Sequence, residues 1–232
     1  MAEFDRYSRN YRSILEESVG GLGSVDSAVR SKLNCLRHIL RLEDAPSPRR
    51  ILDFGCGTGL MSSALEALSG QVFGADVSGD SLHQSVSITG RTVLFDGQRL
   101  PFRDGSFDLV VAACVFHHIE IRSRASVVRE IHRSLAPGGL IVVFEHNPWN
   151  PVTRMVVNRC EFDRDAALLR LRKMSGLLAE AGLRQVYRGY YYAIPPLNRV
   201  LAALDSSLAR LPLGAQYVCA YGKAPEMRAN AA

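Results

Sequence analysis

A doubly wound α/β fold with a largely parallel sheet is what this chain predicts, and three observations carry the prediction. From residue 50 to residue 144, short apolar runs alternate with amphipathic stretches, the pattern of successive β-α-β units. The runs are apolar nearly throughout rather than at every second residue, as expected of strands buried on both faces. The first run carries an acid near its end and passes into a glycine-rich turn, Asp53-Phe54-Gly55-Cys56-Gly57-Thr58-Gly59, that opens a helix.

The elements follow in order. Residues 1–25 place Phe4, Tyr7, Tyr11, Ile14 and Leu15 at helical spacing and end in Gly20-Gly21-Leu22-Gly23. Asp26 is placed to cap a second helix carrying Val29, Leu33, Leu36, Ile39 and Leu40, which Ala45-Pro46-Ser47-Pro48 stops. Strands are expected at 51–54, 71–76, 92–95, 107–113 and 140–144, the last after Pro137-Gly138-Gly139. Helices are expected at 58–68 and near 78–86 and 122–135. Beyond these, 166–181 reads as a helix stopped by Gly182, and 184–192 and 216–221 as strands six and seven. The last residues, 224–232, are expected to be disordered. No internal repeat or domain-scale linker is visible.

Bulk properties narrow the function. The 232 residues suit one sizeable α/β domain, and 47% hydrophobic residues can build its core. The formal net charge is +5, with no basic run of five or more, so a nucleic-acid groove is not indicated. An acidic substrate or an anionic membrane surface remains compatible with that charge. The five cysteines (Cys35, Cys56, Cys114, Cys160 and Cys219) are odd in number, widely spaced and without C-x-x-C. They read as reduced thiols. With no apolar signal region and no stretch approaching the roughly 20 residues of a bilayer span, the expectation is a cytoplasmic protein without stable membrane insertion.

The glycine turn suggests a ligand. Glycines at alternate positions let backbone approach a ligand closely, and an acid at the strand end suits a cationic group. The spacing is not the G-x-G-x-x-G of dinucleotide folds, because the third glycine comes one residue early. Nor do the Lys-Ser or Lys-Thr of a phosphate-binding loop follow. Residues 51–59 resemble the first signature of the class I S-adenosylmethionine (SAM)-dependent methyltransferases. The resemblance spans roughly 50–145. It implies a Rossmann-like seven-stranded sheet with helices on both faces, its last strand antiparallel between the fifth and sixth. It also implies SAM as cofactor, held by Asp53, Gly55, Gly57 and Gly59.

At the end of the second strand Asp76, with Val77 beside it, suits the two ribose hydroxyls; a solvated turn acid is the plain alternative. Asp96-Gly97 resembles the stretch that binds the adenine amino group. Cys114, past strand four, would lie by the SAM methionine through its backbone or small side chain. Tyr11 and Tyr7 resemble an aromatic lid, with core packing equally open. The organisation implied is an N-terminal helical lid (1–45) and a SAM-binding domain (46–223) with substrate-covering insertions near 147–172 and 194–212.

Methyl transfer to a hydroxyl needs positioning and a base, and histidine is the usual candidate. Of six histidines, His38, His83 and His132 fall on expected helices and read as solvated or structural. His146 and His118 are the catalytic candidates, because they lie past the carboxyl ends of strands five and four. A metal held by His117, His118, Glu145 and His146 was weighed against the expectation that adjacent histidines at a helix start point apart; no metal is expected. Segment 149–172 is rich in arginine and reads as an anion-binding insertion or a solvated basic helix. Segment 197–211 has leucines at helical spacing; it reads as core or lid packing, with a dimer face or peripheral membrane contact as alternatives.

The function expected is O-methylation of a small hydroxylated metabolite, such as a glycan, lipid-linked or natural-product intermediate. The alternatives are a nucleotide-dependent oxidoreductase on a Rossmann sheet and a non-catalytic SAM-fold binding protein.

Overall fold

The apolar runs pair into one sheet. Its strands are β1 (Arg50–Phe54), β2 (Gln71–Asp76), β3 (Thr92–Leu94), β4 (Phe107–Ala113), β5 (Leu135–His146), β6 (Arg184–Tyr191) and β7 (Gln216–Gly222). They lie in the order β3-β2-β1-β4-β5-β7-β6. The first five run parallel, and β7 is antiparallel to both its neighbours. The computed structural model describes residues 3–44, 46–68, 70–85, 91–192, 205 and 208–225. Most of the expected 194–212 insertion and residues 226–232 of the tail lie outside the described residues.

Alternation along the strands divides the core between two faces. Leu52, Phe54, Val110, Ala112, Ile141 and Val143 point to one side. There they meet α5 (Arg124–Ser134) through Val127, Val128 and Ile131, and α7 (Leu171–Glu180) through Met174 and Leu178. Ile51, Leu109, Val111, Val142 and Phe144 point to the other. They meet α2 (Val25–Leu42) through Leu33, Leu36 and Ile39, and α3 (Leu60–Leu65) through Met61 and Leu65. Each such side chain, fully buried, contributes about 1.5–3 kcal/mol.

Several boundaries differ from the sequence reading. The N-terminal stretch is not one helix: 3₁₀ turns at Glu3–Arg6 and Ser8–Asn10 precede α1 (Tyr11–Val19). Asp26 does not cap α2. Ser24 is extended and accepts the Ser27 N–H at 3.1 Å, while the Ser27 hydroxyl receives the Ser24 N–H at 3.1 Å. This reciprocal pair satisfies two terminal donors, and Asp26 instead receives Arg12 at 2.8 Å. Helix α3 starts at Leu60, after Gly57 and Gly59 take positive φ.

Strand β5 begins five residues earlier than expected. Leu135 pairs with Phe107 and Leu140 with Leu109, so residues 136–139 form a bulge opposite Asp108. A Cβ on Gly139 would stand 2.9 Å from the Ala136 carbonyl oxygen and 3.0 Å from that of Phe107, so the bulge needs glycine there. Residues 166–170 are not helical. Their backbone is engaged elsewhere: the Ala167 N–H donates to the His117 carbonyl at 3.0 Å, and Arg124 donates to the Ala167 carbonyl at 2.7 Å. Two further helices, α4 (Gly79–Gln84) and α6 (Pro151–Arg159), flank the carboxyl edge of the sheet, where ligands bind in open α/β folds.

Candidate functional site

The glycine turn is tied to the second strand. Gly55 donates to the Ala75 carbonyl at 2.8 Å, and Gly57 donates to Asp76 Oδ2 at 2.7 Å. The other Asp76 oxygen receives the Ser78 N–H at 2.8 Å. A Cβ on Gly55 would reach Val115 at 2.6 Å, so only glycine passes there. Above Gly57 the same test meets nothing, leaving space for a ligand against the backbone. Asp53 is buried at the end of β1 and accepts a short hydrogen bond from the Ser62 hydroxyl. Burial outweighs that bond and pushes its carboxyl up to about 7.

A cavity of about 390 Å³ opens at the carboxyl edge of the sheet, between the glycine turn, α1, α2 and α6. It brings together Asp53, Gly55, Gly57, Cys114, Tyr11, His118 and His146. Gly59, Asp76, Val77, Asp96 and Gly97 are not on its wall. Gly59 is the turn residue before α3. Val77 and Gly97 adjoin one another further along the edge, where a Gly97 Cβ would stand 3.4 Å from Val77. Asp96 is exposed and accepts the N–H groups of Gln98 and Arg99, both at 2.8 Å, which hold its carboxyl below its usual range. Cys114 occupies the left-handed region at φ 59, an unusual position for a side-chain-bearing residue and one that recurs at functional sites. Burial pushes its thiol up to about 12, so it is no thiolate at neutral pH.

Three imidazoles gather around one carboxylate on the far wall. His117 Nδ1 lies 2.6 Å from Glu145 Oε2, and its Nε2 lies 3.3 Å from Asp163 Oδ1. His118 Nε2 is 3.0 Å from the same Asp163 oxygen, and His146 Nε2 is 3.8 Å from Asp163 Oδ2. Burial pulls the His117 imidazole down, but the two carboxylates together outweigh it and raise it to about 10. It is therefore an imidazolium between Glu145 and Asp163. Burial opposes ionisation of Asp163 too, but the histidines win and hold it well below the carboxylate range. His146 goes the other way: burial first, then the His117 charge, depress it to about 4.

The adjacent histidines do not point apart. Their 3₁₀ turn, Phe116–His118, brings the rings to 4.0 Å, both facing Asp163. His117, His118 and Asp163 each offer a ligand atom within 4.8 Å of the others, so this trio, rather than the four residues weighed from sequence, could hold a metal. The same contacts also close as a hydrogen-bonded ion-pair network, with His117 balancing the acids on either side.

Aromatic and polar contacts complete the wall. Tyr11 stacks on Phe162 at 4.9 Å and 16°, and Phe4 meets His118 edge-on at 4.7 Å. Asn147 donates to the carbonyls of Pro212 and Gly214, and Asn150 caps α6 by accepting the Thr153 N–H at 3.0 Å. Sequence reasoning missed the roles of Asp163, Phe162, Glu145 and Lys32. Asp163 and Phe162 sit in an arginine-rich stretch that masks them. Lys32 alone left a legible sign, a charge inside the apolar stripe of α2.

A family model described as a methyltransferase domain matches residues 52–143. A demethylmenaquinone methyltransferase of Thermus thermophilus is 38% identical over 117 residues, 47% of this chain and 51% of its own length. An uncharacterized methyltransferase of Synechocystis sp. is 32% identical over 180 residues, 74% of this chain and 84% of the relative. The chain belongs to the class I SAM-dependent methyltransferases. A SAM-dependent methyltransferase structure from Thermotoga maritima shares the fold with a TM-score of 0.69 at 17% identity, covering 95% of this chain and 98% of that one. The methyltransferase spans about half the length of the Thermus relative. Its family's cofactor is SAM, and the residues present fit one. A buried carboxylate, Asp53, lines the cavity, and open space lies over the Gly57 backbone. Among the described residues, no helix of this methyltransferase is long and apolar enough to cross a membrane.

Proposed function

We propose that this protein O-methylates a hydroxylated small molecule bound in the cavity beside His146. The observation that carries the reading is that the family's glycine turn and the histidine wall share one cavity. When bound, SAM supplies a methyl group on a sulfonium leaving group. Asp53 would face its amine, Gly55 and Gly57 would lie against it, and Cys114 would border the transfer path. Asp76, already holding Gly57, would turn its remaining lone pairs to the ribose, and Val77, Asp96 and Gly97 would flank the adenine.

In this reading His146 is the proton acceptor. Its depressed pKa of about 4 leaves it neutral at physiological pH. Its Nε2 stands 3.8 Å from Asp163, too far for a hydrogen bond, so that nitrogen can receive the proton of the acceptor hydroxyl. In methyl transfer to that oxygen, His146 would take up the hydroxyl proton. His118, bound to Asp163 at 3.0 Å, is the second candidate and is better placed to orient the acceptor.

Calorimetric titration with S-adenosylhomocysteine, with NAD as control, tests the cofactor. Micromolar binding of the first and none of the second is expected; the reverse would sink the reading. Asp76→Ala should weaken that binding. His146→Ala should leave it within about twofold and lower turnover on a panel of hydroxylated metabolites by about 10²-fold or more. Equal loss of binding in both variants would remove His146 from the chemistry.

A further inference from the structure

Helix α2 presents an apolar stripe to the interior: Val25, Leu33, Leu36 and Ile39 are all buried. Lys32 interrupts that stripe. It keeps 7% exposure and lies on the cavity wall. Among the described residues, no carboxylate, carbonyl or hydroxyl is bonded to its ammonium. The acids of the histidine wall are committed elsewhere: Glu145 to His117, and Asp163 to His117 and His118.

The stem of Lys32 is buried while its ammonium opens onto the cavity, with no described acid bonded to it. Its position makes sense if an anion arrives with the ligand. The same cavity wall carries Cys114, just past β4, and His146, at the end of β5. Around it the wall is aliphatic, with Leu15, Val19, Val29, Val152 and Val156. Such a site holds an apolar body by burial and orients it through one charge.

We propose that Lys32 receives the carboxylate of the methyl acceptor, which is an amphipathic acid whose aliphatic body lies along the valine and leucine wall and whose hydroxyl reaches His146. The inference rests on reading the cavity as that of a methyltransferase. The carboxylate of the cofactor's methionine is the other source of the same chemistry, and the experiment separates the two.

Wild type and Lys32→Met are titrated with S-adenosylhomocysteine, and each loaded protein is then titrated with decanoate and with 1-decanol. The expected result is S-adenosylhomocysteine affinity within about twofold in the two proteins. Decanoate should bind about tenfold or more weakly to the variant, with decanol unchanged, as for loss of a charged hydrogen bond. Lys32→Gln gives the same binding comparison if the methionine variant does not fold.

Equal decanoate affinity in wild type and variant, or no decanoate binding to wild type, overturns the proposal. A matching loss of S-adenosylhomocysteine affinity assigns Lys32 to the cofactor and overturns it as well. Failure of S-adenosylhomocysteine to bind wild type strikes the methyltransferase reading itself.

Discussion

If Asp53 meets the amine of the cofactor, as proposed, binding is coupled to release of its proton. Its carboxyl stands at about 7 in the folded chain against an ordinary value of 3.8. A raised folded value means that its contribution to stability is complete below about 3.8 and is lost as pH rises through about 7. A cationic amine brought to Asp53 favours the carboxylate and opposes that shift. S-adenosylhomocysteine affinity should therefore rise between about pH 6 and about pH 8. Asp53→Asn should flatten the profile; a wild-type profile without slope would mean that another group meets the amine. His146 shows the opposite displacement for a related cause, since burial and a neighbouring cation both disfavour its charged form.

Helix α2 serves both the core and the cavity. It supplies Leu33, Leu36 and Ile39 to one core and Lys32 to the cavity. Its start is fixed by the reciprocal Ser24–Ser27 bonds rather than by Asp26. Ser24→Ala should cost about 1 kcal/mol, read as a lower urea midpoint at unchanged slope. Asp26→Ala, which removes only an exposed pair with Arg12, should change the midpoint little. The segment between α6 and α7 works differently. It has little regular structure, yet it is pinned by Arg124 and the His117 carbonyl, and so delivers Phe162 to Tyr11 and Asp163 to three histidines.

Across the whole molecule, His117 joins three distant parts of the chain. It stands after β4, binds Glu145 at the end of β5, and binds Asp163 beyond α6. Its folded value of about 10 against 6.5 means that its stabilisation is full below about 6.5 and is lost as pH rises through about 10. Thermal melts of wild type should therefore fall steeply on the alkaline side. His117→Gln should lose that dependence and destabilise by about 3–5 kcal/mol, because it leaves buried carboxylates without their cation. A wild-type melting temperature constant up to about pH 10 would show the imidazole to be neutral in the fold.

The sheet and the glycine turn were legible because they are local. Continuous apolar runs mark strands buried on both faces, and the glycines stand together in one turn, although the contact that requires glycine at 55 is with Val115, past β4. Even the antiparallel seventh strand followed from the family pattern those residues carry. Pairing across the bulge at 136–139 was not legible, because Pro-Gly-Gly also describes an ordinary turn and only the facing Phe107 decides between them. The histidine wall was half legible. His118 and His146 stand past strand ends that the sequence locates. Asp163 is brought to them from a stretch without periodicity, by hydrogen bonds to residues some 40 positions away. Chain order therefore determined the fold, the glycine turn and the edge of the sheet at which the cavity opens. Tertiary packing alone decided which charges face one another, since burial and the nearest partner set the state of a titratable side chain, and neither is a property of its neighbours in sequence.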